Sequence, residues 1–253
     1  MSVGYPMNAL NLPDPLRVFL HGFSHLIWPY RCLVCHTELG SESGWFCAGC
    51  RSVLTDYRAE TCPRCASTVG PHTDLSAGCL RCRNSRFHFE SATRLGLYDG
   101  TLREVVLKMK HDHGELLAYR LGELWGQVHR ERLLQNGPQV LVPVPLHWRR
   151  RWTRGYNQSE EIARGLAKSL GLPLWDRCLI RTRATPHQTA QTPTVRRTNV
   201  LGAFRVGWHH RVTDLRILLI DDVLTTGATA DSATTALKQA GAAQVHVAVI
   251  AHR

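Results

Sequence analysis

No uninterrupted apolar stretch in these 253 residues reaches the roughly 18 positions that a membrane-spanning helix needs. The first residues carry no basic segment leading into a clean apolar core, which argues against a secretory signal and for a cytoplasmic protein. Acidic residues are few: 20 Asp and Glu stand against 31 Lys and Arg, a formal net charge of +11. The deficit is local. Between His147 and Arg211 there are 13 Lys and Arg against 3 Asp and Glu, so nearly all the excess charge lies in that span. Polyanionic partners such as diphosphate, nucleotides or nucleic acid suit it. What remains is the composition of a globular protein with enough apolar residues for a core, of a length for one or two domains.

Eight of the nine cysteines form Cys-x-x-Cys pairs: Cys32 and Cys35, Cys47 and Cys50, Cys62 and Cys65, Cys79 and Cys82. Without an export signal that pattern means metal rather than disulfides. Eleven residues separate the first two pairs and thirteen the last two. Each half can fold as a ribbon around one tetrahedral zinc, with adjacent pairs sharing an ion; an interleaved cross-brace is the alternative. Four thiolates per ion leave no position for water, so both zincs are structural, and metal supplies much of the folding energy of so short a segment. A redox role for one pair is disfavoured, since no thioredoxin-like βαβ unit surrounds it. Cys178 is expected as a buried packing residue.

The most informative stretch is Arg216 to Thr229. Four apolar residues, Ile217 to Ile220, read as a strand buried on both faces. Asp221 and Asp222 end the run, a Thr/Gly loop follows, and Ala230, Ala233, Leu237 and Ala240 keep helical spacing up to a stop at Gly241. A loop between a strand's carboxyl end and a helix's amino end presents backbone N–H groups and the positive end of the helix to a phosphate. Thr225, Thr226 and Thr229 add hydroxyls, and Gly227 lets the backbone come close. The acids lie too near the phosphate position to hold it; sugar hydroxyls, a cationic centre or a metal ion suit them. No Gly-Lys-Thr or Gly-Lys-Ser follows the strand, and G-x-G-x-x-G is absent from it, which excludes a Walker loop and a dinucleotide fingerprint. The arrangement resembles the phosphoribosyl-diphosphate loop of type I phosphoribosyltransferases.

Elsewhere, residues 1–29 read as a leader with a short helix from Asp14 to Trp28, its apolar face packed on the protein. A ribbon region of near-neutral charge covers 30–90, and an α/β domain covers 91–253. Its expected elements are a strand over Ser91–Tyr98, one or two helices from Leu102 to Leu134 with a break at Gly114, and a strand over Gln139–Val144. His111-Asp112-His113 reads as an exposed polar turn. A loop over His147–Gln158 carries Arg149, Arg150, Arg151 and Arg154 with Trp148, Trp152 and Tyr156, and a helix opens near Ser159. Its arginines suit bidentate phosphate binding, and interleaved aromatics suit single-stranded nucleic acid; the other reading tucks the tryptophans into the core. Strands over Cys178–Arg183 and Ala203–Val206 flank a mobile functional loop, with a helical turn carrying Arg196 and Arg197. Gln244–Ile250 closes an α/β parallel sheet.

The ordered set resembles the ComF/GntX family over nearly the whole chain. Its carriers are the four cysteine pairs, Val142-Pro143-Val144-Pro145, Arg154-Gly155-Tyr156-Asn157-Gln158, Arg181-Thr182-Arg183-Ala184-Thr185 with Gln188, Arg197 with Asn199, Ala203-Phe204, and Ile220-Asp221-Asp222 with Thr225-Thr226-Gly227-Ala228-Thr229. Lys110 matches a family lysine at the end of a helical segment. One departure stands after Gln188, where Thr189 to Pro193 replaces the apolar residue usual in the family.

The resemblance implies a type I phosphoribosyltransferase-like sheet flanked by helices, preceded by a small double zinc ribbon, and a part in DNA uptake or in use of external DNA. It speaks for ligand class better than for turnover; the alternative is an active phosphoribosyltransferase of nucleotide metabolism that transfers ribose 5-phosphate to a base or amine. Thr225 to Thr229 would hold the 5-phosphate of phosphoribosyl diphosphate. Asp221 and Asp222 would bind the ribose hydroxyls and ease charge at an oxocarbenium-like transition state, with Mg²⁺ between diphosphate and sugar. Arg149, Arg150, Arg151, Arg154, Asn157, Gln158, Arg181, Arg183 and Gln188 would face the leaving diphosphate. Single-stranded DNA and a DNA-uptake helicase are the expected macromolecular partners, and phosphoribosyltransferase-like folds often pair as oligomers.

Overall fold

The computed structural model describes residues 30–40, 44–56, 59–111, 113–183 and 202–253, and of Arg149 and Arg150 the backbone alone. The expected leader helix, Asp112, Gln188, Arg196 and Arg197 lie outside the described residues. The chain divides into two compact units between Arg51 and Ser52, a point inside the first described helix, α1 (Ala48–Thr55).

In the first unit the chain turns tightly at Cys32–Cys35. His36 takes a left-handed φ of 62° just after the second cysteine, its N–H donating to the Cys32 carbonyl, and Arg31 bridges to Glu38. The second unit begins with the same device thirty positions on. Ala66 (φ 61°) follows Cys65, its N–H donates to the Cys62 carbonyl, and Thr61 bridges to Thr68. The two ribbons differ at their second pair. Cys47 and Cys50 lead into α1, whereas Cys79 and Cys82 sit in a turn.

The rest of the second unit is built on a four-stranded parallel sheet in the order β1 (Ser91–Leu97), β6 (Gln244–His252), β5 (Arg216–Leu224), β2 (Val140–Pro143). Ile217 and Leu219 join Val140, Val142, Val245, Val247 and Val249 in one core with Ala230, Ala233 and Leu237 of α7 (Ala228–Gln239). Leu218 and Ile220, which alternate with them, are also buried, as expected for a parallel sheet covered on both faces.

Between β1 and β2 the chain forms α2 (Gly100–Lys108), α3 (Glu115–Val128) and the short α4 (Arg130–Leu134). The expected break falls at Gly114, which precedes α3. Helix α6 (Gln158–Leu170) packs on β5, β2 and α3. Its start is capped by Asn157, whose side chain accepts from the Ser159 N–H. Its end is closed by Gly171 at φ 69°, which satisfies the Ala167 carbonyl. Gly122 and Gly165 let α3 and α6 meet backbone to backbone; a Cβ at either would overlap a carbonyl of the other helix.

Two expectations change. The arginine and tryptophan segment is not a loop but a helix, α5 (Trp148–Arg154). The strands either side of the expected mobile loop, β3 (Leu179–Arg181) and β4 (Phe204–Val206), do not enter the parallel sheet. They pair antiparallel in a separate two-stranded sheet. Cys178, Leu179, Ala203 and Phe204 bury their side chains in the core under α7, so apolar burial alone could not distinguish hairpin from parallel strand.

Candidate functional site

β5 runs on past its apolar residues: Asp221 pairs with Val249, and Leu224 with His252. The two acids therefore sit within the strand rather than after it. β2 stops earlier, at Pro143 opposite Ile220, so neither acid has a strand partner on the β2 side. Asp221 accepts from Ser159 Oγ at 3.0 Å and from the Asp222 N–H at 2.9 Å. Asp222 forms an ion pair with Lys110 Nζ at 3.0 Å. Loss of hydration and the adjacent Asp222 charge push the Asp221 carboxyl up to about 7. An acid pair with one member desolvated in this way is matched to a cation or to hydroxyl donors arriving with a ligand.

Beyond Leu224 the chain turns through Thr225 and Thr226 into Gly227, at φ 80°, and α7 starts at Ala228, earlier than the apolar periodicity marks it. The Ala228 N–H reaches Thr226 Oγ1 at 3.4 Å. The loop thus lies at a helix amino end, the place for a phosphate. A cleft of about 380 Å³ opens beside it, with Thr225, Thr226, Gly227, Arg81, Phe87 and His252 in its wall.

A second cleft, of about 410 Å³, is lined by Lys110, His111, Thr153 and Arg154. Tyr156 shapes it. Its hydroxyl donates to the Met109 carbonyl and reaches the His111 carbonyl at 3.3 Å, fixing the turn that carries Lys110. His111 and His113 are exposed, as expected of a polar turn.

The other basic-loop residues divide by environment. Arg151 pairs with buried Glu160 at 3.1 Å, and Arg154 Nη1 donates to Gln158 Oε1 at 2.8 Å. Asn157 and Gln158 are buried; Asn157 caps α6 and donates to the Val144 carbonyl at 3.0 Å. Arg181 lies over the Phe204 ring, 5.4 Å from its centroid, and Arg183 is exposed just past the end of β3. Trp148 and Trp152 are 57% and 82% exposed, which sets aside the reading that tucks them into the core. Four positions apart on a helix, they share a face. Ser159, Arg81 and Phe87 were not picked out by sequence reasoning, because each reaches the site from a distant segment.

The cysteines form two quartets: Cys32, Cys35, Cys47 and Cys50, then Cys62, Cys65, Cys79 and Cys82. Within each, the four sulfurs lie within 4.8 Å of one another. Adjacent pairs therefore combine, as expected, rather than interleave. Sulfur separations of 3.6 Å (Cys35 to Cys47), 3.5 Å (Cys65 to Cys79) and 3.7 Å (Cys62 to Cys82) fit thiolates on one zinc, which stand about 3.8 Å apart at the corners of a tetrahedron. The N–H groups of Cys47 and Cys50 point at Cys32 Sγ and Cys47 Sγ, both at 3.4 Å, support that such thiolates need. Buried Cys178 belongs to neither set.

Two domain families match separate parts of the chain. The double zinc ribbon domain matches residues 23–84, and the phosphoribosyl transferase domain matches residues 156–253. The DNA utilization protein YhgH of Salmonella typhi is 30% identical over 222 residues, 87% of this chain and 95% of that protein. Competence protein F of Haemophilus influenzae is 25% identical over 86% of this chain and 95% of its own length. Competence protein ComFC of Streptococcus pneumoniae is 27% identical over 82% and 87%. A shared architecture of paired zinc ribbons and phosphoribosyltransferase sheet, aligned over nearly full length with these proteins, makes the chain a member of the ComF/GntX family of DNA utilization and competence proteins.

Proposed function

We propose that this protein binds phosphoribosyl diphosphate at the carboxyl end of β5 and uses that site in handling DNA taken up from outside the cell, working in the cytoplasm. The observation that carries the reading is the juxtaposition of Asp221 and Asp222, Lys110, and the Thr225–Thr229 loop at the start of α7. The loop amides would take the 5-phosphate. Asp221 and Asp222 would accept from the ribose hydroxyls, and the cleft of Lys110, His111 and Arg154 would receive the diphosphate. Asp221 and Asp222 would hold Mg²⁺, which would supply positive charge to the bound diphosphate. Because the Asp221 carboxyl is pushed up to about 7, a ligand that needs it ionised would release a proton on binding near neutral pH.

The test is calorimetry with phosphoribosyl diphosphate and Mg²⁺. Wild-type protein is expected to bind, and the Asp221→Asn/Asp222→Asn double variant to lose binding at unchanged zinc content. Equal affinity in the two would refute the site. Diphosphate release in the presence of a panel of bases and amines then decides between a sensor and a transferase.

A second role, compatible with the first, is favoured by α5. Its exposed Trp148 and Trp152 share a face on which single-stranded DNA could stack, in a segment whose sequence carries four arginines. The zinc ribbons would then dock a partner such as a helicase.

A further inference from the structure

Three contacts tie the second ribbon to the loop after β5. Arg81 lies in the turn between ligand cysteines Cys79 and Cys82. Its Nη2 donates to the Arg253 carbonyl at 2.7 Å and to the Thr225 carbonyl at 3.4 Å. Phe87 lies against Gly227, so that a Cβ on that glycine would stand 2.8 Å from Phe87 Cε1. Phe87 packs both on the Cys62–Cys82 cluster and on the α/β core, and it stacks on Phe89 at 4.6 Å. His88 donates through its backbone N–H to Asp231 Oδ1, in the first turn of α7, at 2.6 Å, and its Nδ1 lies 3.1 Å from the same oxygen. Carbonyl, glycine face and helix start are thus each met by one short stretch of ribbon.

The Thr225 contact has a stereochemical consequence. In a trans peptide the C=O and the following N–H point in opposite directions. A guanidinium that holds the Thr225 carbonyl on its own side turns the Thr226 N–H the opposite way, and so fixes the direction in which one amide of the loop can donate. A buried or ligand-facing N–H must be aimed to be useful, since the donor is otherwise satisfied by water. The backbone that carries Arg81 is held on both sides, because it lies between Cys79 and Cys82 of one quartet.

We infer that Arg81 is a positioning residue for the phosphate loop, so that the folded second ribbon sets the loop's affinity for its ligand. The inference rests on the phosphoribosyl-diphosphate reading of that loop. It gives the second ribbon a part in ligand binding that goes beyond its own stability.

Arg81→Ala and Arg81→Lys separate the possibilities. Each is measured for zinc content, for phosphoribosyl-diphosphate affinity with Mg²⁺ by calorimetry, and for hydrogen exchange in peptides covering residues 224–231. Arg81→Ala is expected to keep its zinc, to bind about tenfold more weakly, the loss of roughly one hydrogen bond to a charged group, and to exchange faster in the loop. Arg81→Lys, which can still reach a carbonyl, is expected to recover most of both. Unchanged loop exchange in Arg81→Ala overturns the inference, because a role through charge alone would weaken binding without loosening the loop. Loss of zinc in both variants also overturns it, by making Arg81 a ribbon stabiliser. Wild-type protein that binds no phosphoribosyl diphosphate refutes the reading of the site, while the exchange comparison, which needs no ligand, still decides whether Arg81 holds the loop.

Discussion

Asp221 is held at odds with its own charge. Burial and the Asp222 carboxylate push it up to about 7 from an ordinary value of 3.8, against the help of Ser159 and Lys110. The folded chain therefore holds this proton more tightly than the unfolded chain does. Its contribution to stability is complete below the unfolded value and is lost as pH rises through about 7. Asparagine resembles the protonated acid and does not titrate. Asp221→Asn is therefore expected to match wild type in thermal melts near pH 4 and to exceed it by about 2 kcal/mol near pH 8. Lower stability than wild type at the alkaline end would show that Asp221 is a structural acid. A site residue whose removal stabilises the fold is one kept for its ligand.

The acid pair and its loop were legible in the sequence because their chemistry is contiguous: strand, acids, loop and helix start follow one another from Arg216 to Thr229. Of the rest, Lys110 was marked only through the family resemblance, and Ser159 and Arg81 were not marked at all, for a physical reason. Ser159 reaches Asp221 from α6, Lys110 reaches Asp222 from the turn after α2, and Arg81 reaches Thr225 from the ribbon. Only tertiary packing brings them together. The quartets were legible because metal ligation imposes a short, fixed spacing on the chain itself.

Helix α5 shows what pattern reading misses among whole segments. Trp-Arg-Arg-Arg-Trp-Thr-Arg has no apolar stripe to mark a helix, since both tryptophans face outward. The same exposure makes α5 the element on which the DNA reading stands or falls. Single-stranded oligonucleotide binding is expected to weaken steeply with salt, and the log–log slope to shrink when Arg149, Arg150 and Arg151 are replaced together by glutamine. Trp152→Ala, at an 82% exposed position, should weaken binding by about 1–3 kcal/mol without altering the slope. Binding indifferent to all four changes would remove α5 from any nucleic-acid role. Arg151 also holds buried Glu160, so melting curves of the triple variant must accompany the titration.

Taken as one chain, the molecule carries two zinc sites of similar make and different surroundings. One quartet lies in the compact unit ending at Arg51, the other in the unit that holds the sheet. Metal analysis is expected to give two zinc ions per chain. Cys47→Ser/Cys50→Ser should leave one, keep the cooperative melt of the sheet, and open residues 30–50 to protease. Cys79→Ser/Cys82→Ser should also leave one, but with a lowered melting temperature, because Phe87 and Phe89 join that ribbon to the core of the sheet. Equal effects of the two variants on the sheet would contradict this asymmetry.

Cys178 is the ninth cysteine, fully buried beneath the hairpin, and burial pushes its thiol up to about 12. With the other eight sulfurs masked by metal, it is a built-in clock. An alkylating reagent added to the zinc-loaded protein has one sulfur left to find and can reach it only when the hairpin lifts from the core. The pace of that single chemical event would time the lifting of the hairpin without any label being introduced.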